Sequence, residues 1–268
     1  MGARPLPESE ARREHARHGR DVTVRRDPAA AVEGGMAQPM AALPIIAVTG
    51  MAFEARIARG DGVETVYAAR ADWLERALSE AVARGCGGIV SFGTAGGLAP
   101  GLEPGTLIIA DAVDGPLGRI PTNAAWAARC ADALAGTPLH DRVRRGTMAG
   151  VTAPVVSAQD KEHLHRSTGA LAVDMESHIA GAIAAARGLP FIVCRAIVDP
   201  AWRTLPRAAT AGLRDDGTTA IGPILRELAR QPSQLGALIR LAADARAARM
   251  TLVQARHALG EAGALRPH

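Results

Sequence analysis

Two carboxylates stand where buried strands are predicted to end. Leu171-Ala-Val-Asp174-Met175-Glu176-Ser177-His178 reads as a short strand, an acidic turn and the start of an apolar helix; the run from Pro190 to Asp199 reads as a second strand closed by an acid. In open α/β sheets the ligand crevice lies outside the carboxyl ends of the strands. Asp174 suits a helix cap, whereas Glu176 falls a little inside the helix and Asp199 precedes Pro200, so neither of these reads as a cap. Glu54 follows another predicted strand, and Gly93-Thr94-Ala95-Gly96-Gly97 follows a third. If the sheet is parallel, these exits share one edge, and three carboxylates and a glycine loop converge on one crevice. Carboxylates suit glycosidic cleavage, whose transition state is oxocarbenium-like and whose leaving group takes a proton. A positioned acid or base contributes roughly 10²–10⁴-fold. The glycines permit close approach of backbone to a ligand. The loop is neither GxGxxG nor a Walker loop, so it calls for no dinucleotide and no ATP. Singly each feature is weak: a glycine cluster after a strand is commonly a turn, and Glu54 fits a solvated residue in the first turn of a helix. Their convergence carries the reading.

The elements that must position these residues alternate between strand and helix. Residues 44–49 form a continuous apolar run, a buried first strand, and residues 63–69 alternate like a second. Residues 72–84 place Leu74, Ala77, Leu78, Ala81 and Val82 on one helical face, stopped by Gly85. Strands over 88–92 and 106–113, a helix over 123–134, one or two strands within 144–156 and a short helix over 159–168 complete the run up to the acidic turns. From Thr218 onward the pattern is helical. The expected fold class is α/β: a single three-layer domain over 43–232, with a mostly parallel or mixed central sheet and helices on both faces. Residues 1–42 are polar and lack apolar periodicity, which predicts a disordered extension; Met36 and Met40 are alternative starts just before the first strand. Residues 233–268 read as a basic amphipathic helix and tail, with Leu235, Leu238, Ile239 and Leu241 at helical spacing among Arg240, Arg246, Arg249 and Arg256. Such a helix lies on a membrane surface or packs on its own domain with solvated arginines, and the second reading is the simpler.

Composition bounds the partners. Of 268 residues, 48% are hydrophobic, 22% charged and 3% aromatic, a globular balance in which Ala and Gly do much of the filling. Net charge is +4, and no arginine stripe is interleaved with aromatics, so nucleic acid is not indicated. Lys161 is the only lysine. Cys86, Cys130 and Cys194 match neither a zinc spacing nor a disulfide framework. No metal site and no cofactor are called for, and a reducing, cytoplasmic setting fits. No run approaches the ~18 apolar residues of a membrane span.

Three ordered motifs then carry a resemblance. Ser91-Phe-Gly93-Thr94-Ala-Gly96-Gly97-Leu, Val173-Asp-Met175-Glu176-Ser and Arg195-Ala-Ile-Val-Asp199 resemble the signatures of the purine nucleoside phosphorylase superfamily. The nearer branch is the methylthioadenosine/S-adenosylhomocysteine nucleosidases, whose N-terminal Gly-Ala-Met-Glu-Glu-Glu is similar to Gly50-Met51-Ala-Phe-Glu54. The likeness covers about residues 44–200. Beyond it, Asp199-Pro-Ala-Trp-Arg-Thr-Leu-Pro-Arg-Ala-Ala and the run from Leu225 to Ala242 resemble the hopanoid-associated phosphorylases, which remove adenine from adenosylhopane.

The resemblance implies roles. Asp199 would protonate the purine at N7. Glu176 would hold the ribose 2′- and 3′-hydroxyls, with Met175 packed beneath the sugar. Glu54 would position or deprotonate an attacking water, and Thr94 with the backbone of Gly93 and Gly96 would line the nucleophile side. The stretch Ser157-Ala-Gln159-Asp160-Lys161, with Ser157, Gln159 and Asp160 as the candidate contacts, would lie near the adenine, and Trp202 could cap the site. Three positions depart from the pattern: Val198 replaces a serine, Asp174 replaces the first Glu of Glu-Met-Glu, and Ser91 stands where hexameric phosphorylases carry a phosphate-binding arginine. Arg56 is the candidate substitute, with inorganic phosphate as co-substrate; the missing arginine and the retained Glu54 tilt the nucleophile toward water. The expected substrate is a 5′-substituted adenosine, small or lipid-linked, the expected assembly a homo-oligomer, and the expected location the cytoplasm with peripheral contact at the inner membrane. The rivals are a nucleosidase for small 5′-thio substrates and a non-catalytic nucleoside-binding protein.

Overall fold

The structure is a computed structural model and describes residues 43–212 and 214–267. The extension expected over 1–42, with both alternative starts, lies outside the described residues.

Continuous β-branched runs give buried strands. β1 (Ile45–Thr49) is followed by α1 (Ala52–Ala58), β2 (Val63–Tyr67), α2 (Ala71–Ala83), β3 (Gly88–Gly97) and a hairpin of β4 (Leu107–Gly115) with β5 (Gly118–Pro121). α3 (Ala124–Ala135), capped by the Asn123 side chain, leads to β6 (Val143–Gly150), α4 (Ala158–Thr168), β7 (Ala172–Asp174), α5 (Ser177–Ala186) and β8 (Phe191–Asp199). Three helices finish the chain: α6 (Arg207–Ala211), α7 (Ile221–Arg230) and α8 (Leu235–Glu261). β5 and α6 have no counterpart in the sequence reading, and 144–156 holds one strand rather than two.

The sheet is mixed. β2, β1, β3 and β8 run parallel, β4, β6 and β7 run parallel to one another, and the two groups meet antiparallel at β3–β7 and β4–β8. Because β8 pairs with both β3 and β4, the order β3–β8–β4–β6–β7 closes back on β3 as a small barrel. Alternate residues of each strand face opposite layers. Ile46, Val48, Ile89 and Val193 pack on Leu74 and Leu78 of α2 and Ala180 and Ala184 of α5. Ile45, Ala47, Val90 and Cys194 face the other way, onto Trp126 and Leu134 of α3 and Leu252 and Leu259 of α8. The C-terminal half of α8 is therefore core, and Arg256 there donates to the Ala58 carbonyl (2.8 Å), while Arg240, Arg246 and Arg249 stay exposed. Among the described residues no helix is long and apolar enough to cross a membrane.

Two expectations are corrected. The glycine run after 88–92 is strand, not loop: β3 continues to Gly97 because β8 pairs along it as far as Gly96 and β7 pairs with Gly96 and Gly97. The acidic exits also do not share one parallel edge. β7 runs against β3, so the chain after Asp174 turns back toward Gly93, whereas Asp199 ends level with Gly96.

Candidate active site

Glu54 comes from the turn between β1 and α1. Far from being a solvated first-turn residue, it is 1% exposed. Its Oε2 accepts from Gly50 N and Met51 N (both 3.1 Å), which caps its own helix. Its Oε1 accepts from Thr94 N (2.8 Å) and Thr94 Oγ1 (2.6 Å) on β3. A carboxylate offers about four lone-pair sites, so all are taken. A water polarised by Glu54 has to exchange with one of these donors, and the Thr94 hydroxyl is the one that can rotate away.

Asp174 and Glu176 close the same cluster from the turn after β7. Asp174 behaves as its position predicts: Oδ1 accepts from Ser177 N (3.0 Å) and Oδ2 accepts from Ser177 Oγ, capping α5. Glu176 occupies the N-cap position of α5 (φ −114°, ψ −32°) rather than a place inside the helix, and its side chain makes no cap bond. It turns instead to Arg195, the residue the sequence reading left out of the site. Arg195 Nε lies 3.0 Å from Asp174 Oδ2 and Nη1 lies 3.1 Å from Glu176 Oε2. Nη2 donates to Ser91 Oγ (2.7 Å) and Nη1 to the Thr94 carbonyl (3.1 Å). A buried charge is costly unless paired and hydrogen-bonded, and an arginine in the middle of Phe191-Ile-Val-Cys-Arg195-Ala-Ile-Val was the available signal. Burial works against the guanidinium charge, and Asp174, Glu176 and Glu54 together outweigh it, so its pKa lies above the ordinary value. Burial pushes Glu176 up to about 7, against the pull of Arg195.

The cluster assembles around glycines. A Cβ on Gly93, whose φ is +154°, would stand 2.7 Å from Glu54 Oε2 and 2.8 Å from Arg195 Nη1. A Cβ on Gly50 would stand 2.5 Å from Glu176 Oε1. Only a residue without a side chain lets the two acids and the guanidinium meet there.

Asp199 lies further along. Its register partner is Gly96, three residues past Gly93, which at 3.3 Å per residue is roughly 10 Å along β3. It is buried, and burial raises its pKa while Lys161 draws it back. Lys161 Nζ forms a buried ion pair with Asp199 Oδ2. Of residues 157–161, the stretch expected near the base, Lys161 is the one that contacts Asp199. Ser157 and Asp160 cap α4, Ser157 Oγ accepting from Asp160 N (3.0 Å) and donating to Asp160 Oδ2 (2.6 Å), and Gln159 is exposed. Local sequence does not set Lys161 apart within that stretch, because a lysine in a polar helix is ordinarily solvated.

Met175 sits half-buried between the two acids of its turn. Arg56 is exposed and donates back to the Ala52 carbonyl of its own helix (3.4 Å), apart from the cluster. Trp202 is 52% exposed. A cavity of about 430 Å³ is lined by Asp114, Arg119, Gly150, Val151 and Thr152 among others; Gly150 in its wall is the register partner of Asp174, but none of the cluster's own residues lines it. Among the described residues no group of three or more His, Cys, Asp or Glu could hold a metal ion.

The arrangement has two poles: three carboxylates around one guanidinium at Gly93, and one carboxyl with one ammonium at Gly96. The first disfavours an anionic ligand and favours developing positive charge; the second holds a carboxyl whose pKa burial raises against the pull of an ammonium. Solved structures share the fold. Futalosine hydrolase of Helicobacter pylori aligns with a TM-score of 0.59 at 17% identity, over 82% of this chain and 97% of its own. The 5′-methylthioadenosine/S-adenosylhomocysteine nucleosidase of the same organism gives 0.58 at 16% over 83% and 98%. Its counterpart from S. pneumoniae gives 0.56 at 16% over 81% and 100%. No curated protein matches the sequence. The family model described as the Phosphorylase superfamily matches residues 3–221, more than half of the chain, and the chain therefore belongs to the Phosphorylase superfamily.

Proposed function

We propose that this protein hydrolyses the N-glycosidic bond of a 5′-substituted adenosine, releasing adenine, and that its substrate is the lipid-linked nucleoside adenosylhopane. The observation that carries the reading is the pairing of poles along β3. A nucleoside lying on that strand meets Glu54, Glu176 and Arg195 at its sugar and Asp199 at its base. Glu176 takes the ribose hydroxyls, Met175 lies under the ring, and Asp199 gives a proton to the purine. Each of these interactions strengthens as the sugar becomes cationic and the base becomes a leaving group, which is the condition for lowering the barrier rather than only binding substrate. A protein that merely bound nucleosides would need no buried acid at the base.

Water is the nucleophile in this reading. Arg195 is already matched against Asp174 and Glu176 and lies beside Glu54, so the sugar pole carries excess negative charge and repels phosphate. Arg56 points elsewhere. The fold shared with a futalosine hydrolase and with nucleosidases agrees with this choice.

A large apolar 5′-group is supported by what flanks the turn bearing Glu54. Ala52 N donates to the Gly217 carbonyl (3.1 Å), so the segment leading into α7 lies against that turn. α7 has no buried residue; Ile221 and Leu225 on it, and Leu235 and Ile239 on the next segment, are exposed. These exposed apolar side chains would give a lipid tail somewhere to run and the protein a way to rest on a bilayer. A homo-oligomer in the cytoplasm, peripheral at the inner membrane, goes with the reading. The test is adenine release from detergent-dispersed adenosylhopane and from methylthioadenosine, followed by chromatography. Preference for the lipid supports the proposal; preference for the small substrate makes this a methylthioadenosine-type nucleosidase.

A further inference from the structure

Lys161 is the chain's only lysine, and its side chain is 0% exposed. It leaves α4 one residue past the Ser157–Asp160 cap and carries its ammonium to the end of β8. Besides the Asp199 carboxylate, Nζ reaches the carbonyls of Asp199 (3.3 Å), Pro200 (3.1 Å) and Arg203 (2.9 Å). An ammonium has three donors, and here it has four acceptors. The three carbonyls alone can satisfy it, so the Asp199 carboxyl is the acceptor free to turn to a ligand without leaving a buried ammonium unpaired. Gly96, across from Asp199, leaves the carboxyl uncovered on that side: a Cβ there would touch both carboxyl oxygens (3.4 and 3.5 Å) and crowd Val173 Cγ1 (3.3 Å). Arg203 is itself tied to α8 through Asp244 (2.7 Å), so the loop that supplies the carbonyls is anchored.

We infer that Lys161 is a positioning residue for Asp199, aiming its carboxyl at the base and balancing the carboxylate left behind when the proton moves. The inference rests on the glycosidase reading given above. Asp199 passes its proton to a ring nitrogen of the purine. The C1′–N9 bond breaks with its electron pair staying on the base, which leaves neutral, and Asp199 remains as a carboxylate against the Lys161 ammonium. Water adds to C1′ and gives up its proton at Glu54. Burial makes Asp199 a reluctant donor by raising its pKa, and Lys161 opposes that rise.

The test pairs two leaving groups. Adenine needs a proton to depart; 4-nitrophenolate does not. In Lys161→Met, adenine release from adenosylhopane is expected to fall by about 10²-fold or more, the scale of a lost positioned acid, while hydrolysis of 4-nitrophenyl β-D-ribofuranoside changes by less than about threefold. The high-pH limb of adenine release should move upward, because the acid loses the charge that held it down. Equal losses on both substrates, or no loss on either, overturn the inference. A second measurement is independent of turnover: the 13C-detected titration of the Asp199 carboxyl should rise in Lys161→Met and stay near its wild-type position in Lys161→Arg. An unmoved midpoint in Lys161→Met also overturns the inference. If the wild-type enzyme cleaves neither substrate, the glycosidase reading falls, and the titration alone decides whether Lys161 controls Asp199.

Discussion

Arg195 and Glu176 meet at 3.1 Å although the strands that deliver them, β8 and β7, do not pair with each other. β3 runs between them, and the crossing point is Gly93, the register partner of Arg195. The contact exists because β3 has no side chain there. Gly93→Ala places a methyl group within 3 Å of Glu54 and Arg195, so we expect a loss of about 1–3 kcal/mol of stability from overpacking. Activity should fall by more than stability explains, because the acids are pushed apart. Urea denaturation and kcat on the same preparation separate the two effects.

Arg195 is the counter-charge for its surroundings. Arg195→Met leaves Asp174, Glu176 and Glu54 without a cation, and breaking a buried pair in this way costs about 3–5 kcal/mol. The loss should shrink as pH falls through about 7 and Glu176 takes up its proton. Denaturation midpoints at pH 5 and pH 8 check this; an equal loss at both pH values would mean that packing, not charge, is what the guanidinium supplies.

Glu176 carries a pH signature. Its pKa is raised from an ordinary 4.5 to about 7. A carboxyl whose folded pKa is raised contributes stability that is full below its ordinary value and is lost as pH rises through the folded one. Glu176→Gln should therefore gain stability relative to the wild type between pH 5 and pH 8. Under the proposed function the effect on binding runs the opposite way, because the ionised form is the one that would accept hydrogen bonds from the ribose hydroxyls. KM in the wild type should climb as pH falls below about 7, and that dependence should vanish in Glu176→Gln.

Trp126 reports on the back of the site. It is 0% exposed, and its indole nitrogen donates to the Ala264 carbonyl (2.8 Å), tying α3 to the end of the chain. Trp126→Ala should cost about 3–5 kcal/mol with little change in KM, since α3 lies on the sheet face away from α5, the helix that Asp174 and Glu176 begin. Thermal melting and steady-state kinetics check both halves.

The acids were legible because acids at the ends of apolar runs have few reasons to be there. Glu54, Glu176 and Asp199 could be found one strand at a time. Their cations could not. Lys161 falls within the stretch that the resemblance places near the base, but its polar helix does not single it out, and its pairing with Asp199 appears only in the fold. Arg195 interrupts an apolar strand, a visible anomaly whose partners come from three other elements. The glycine run misled for a related reason: local preference favours a turn, and long-range pairing with β7 and β8 overrides it. Strand direction was hidden too, since β7 has three residues, Ala172–Asp174, too few to show which way it pairs.

The central claim is that the carboxylate-rich pole serves water. The direct measurement is the rate of adenine release from adenosylhopane with and without inorganic phosphate, with Asp199→Asn as the control and the sugar product identified by chromatography. The account predicts the same rate in both, a free ribosyl product, and a loss of about 10²–10⁴-fold in Asp199→Asn, the range for a positioned acid. Release that requires phosphate and yields a ribose 1-phosphate would contradict it.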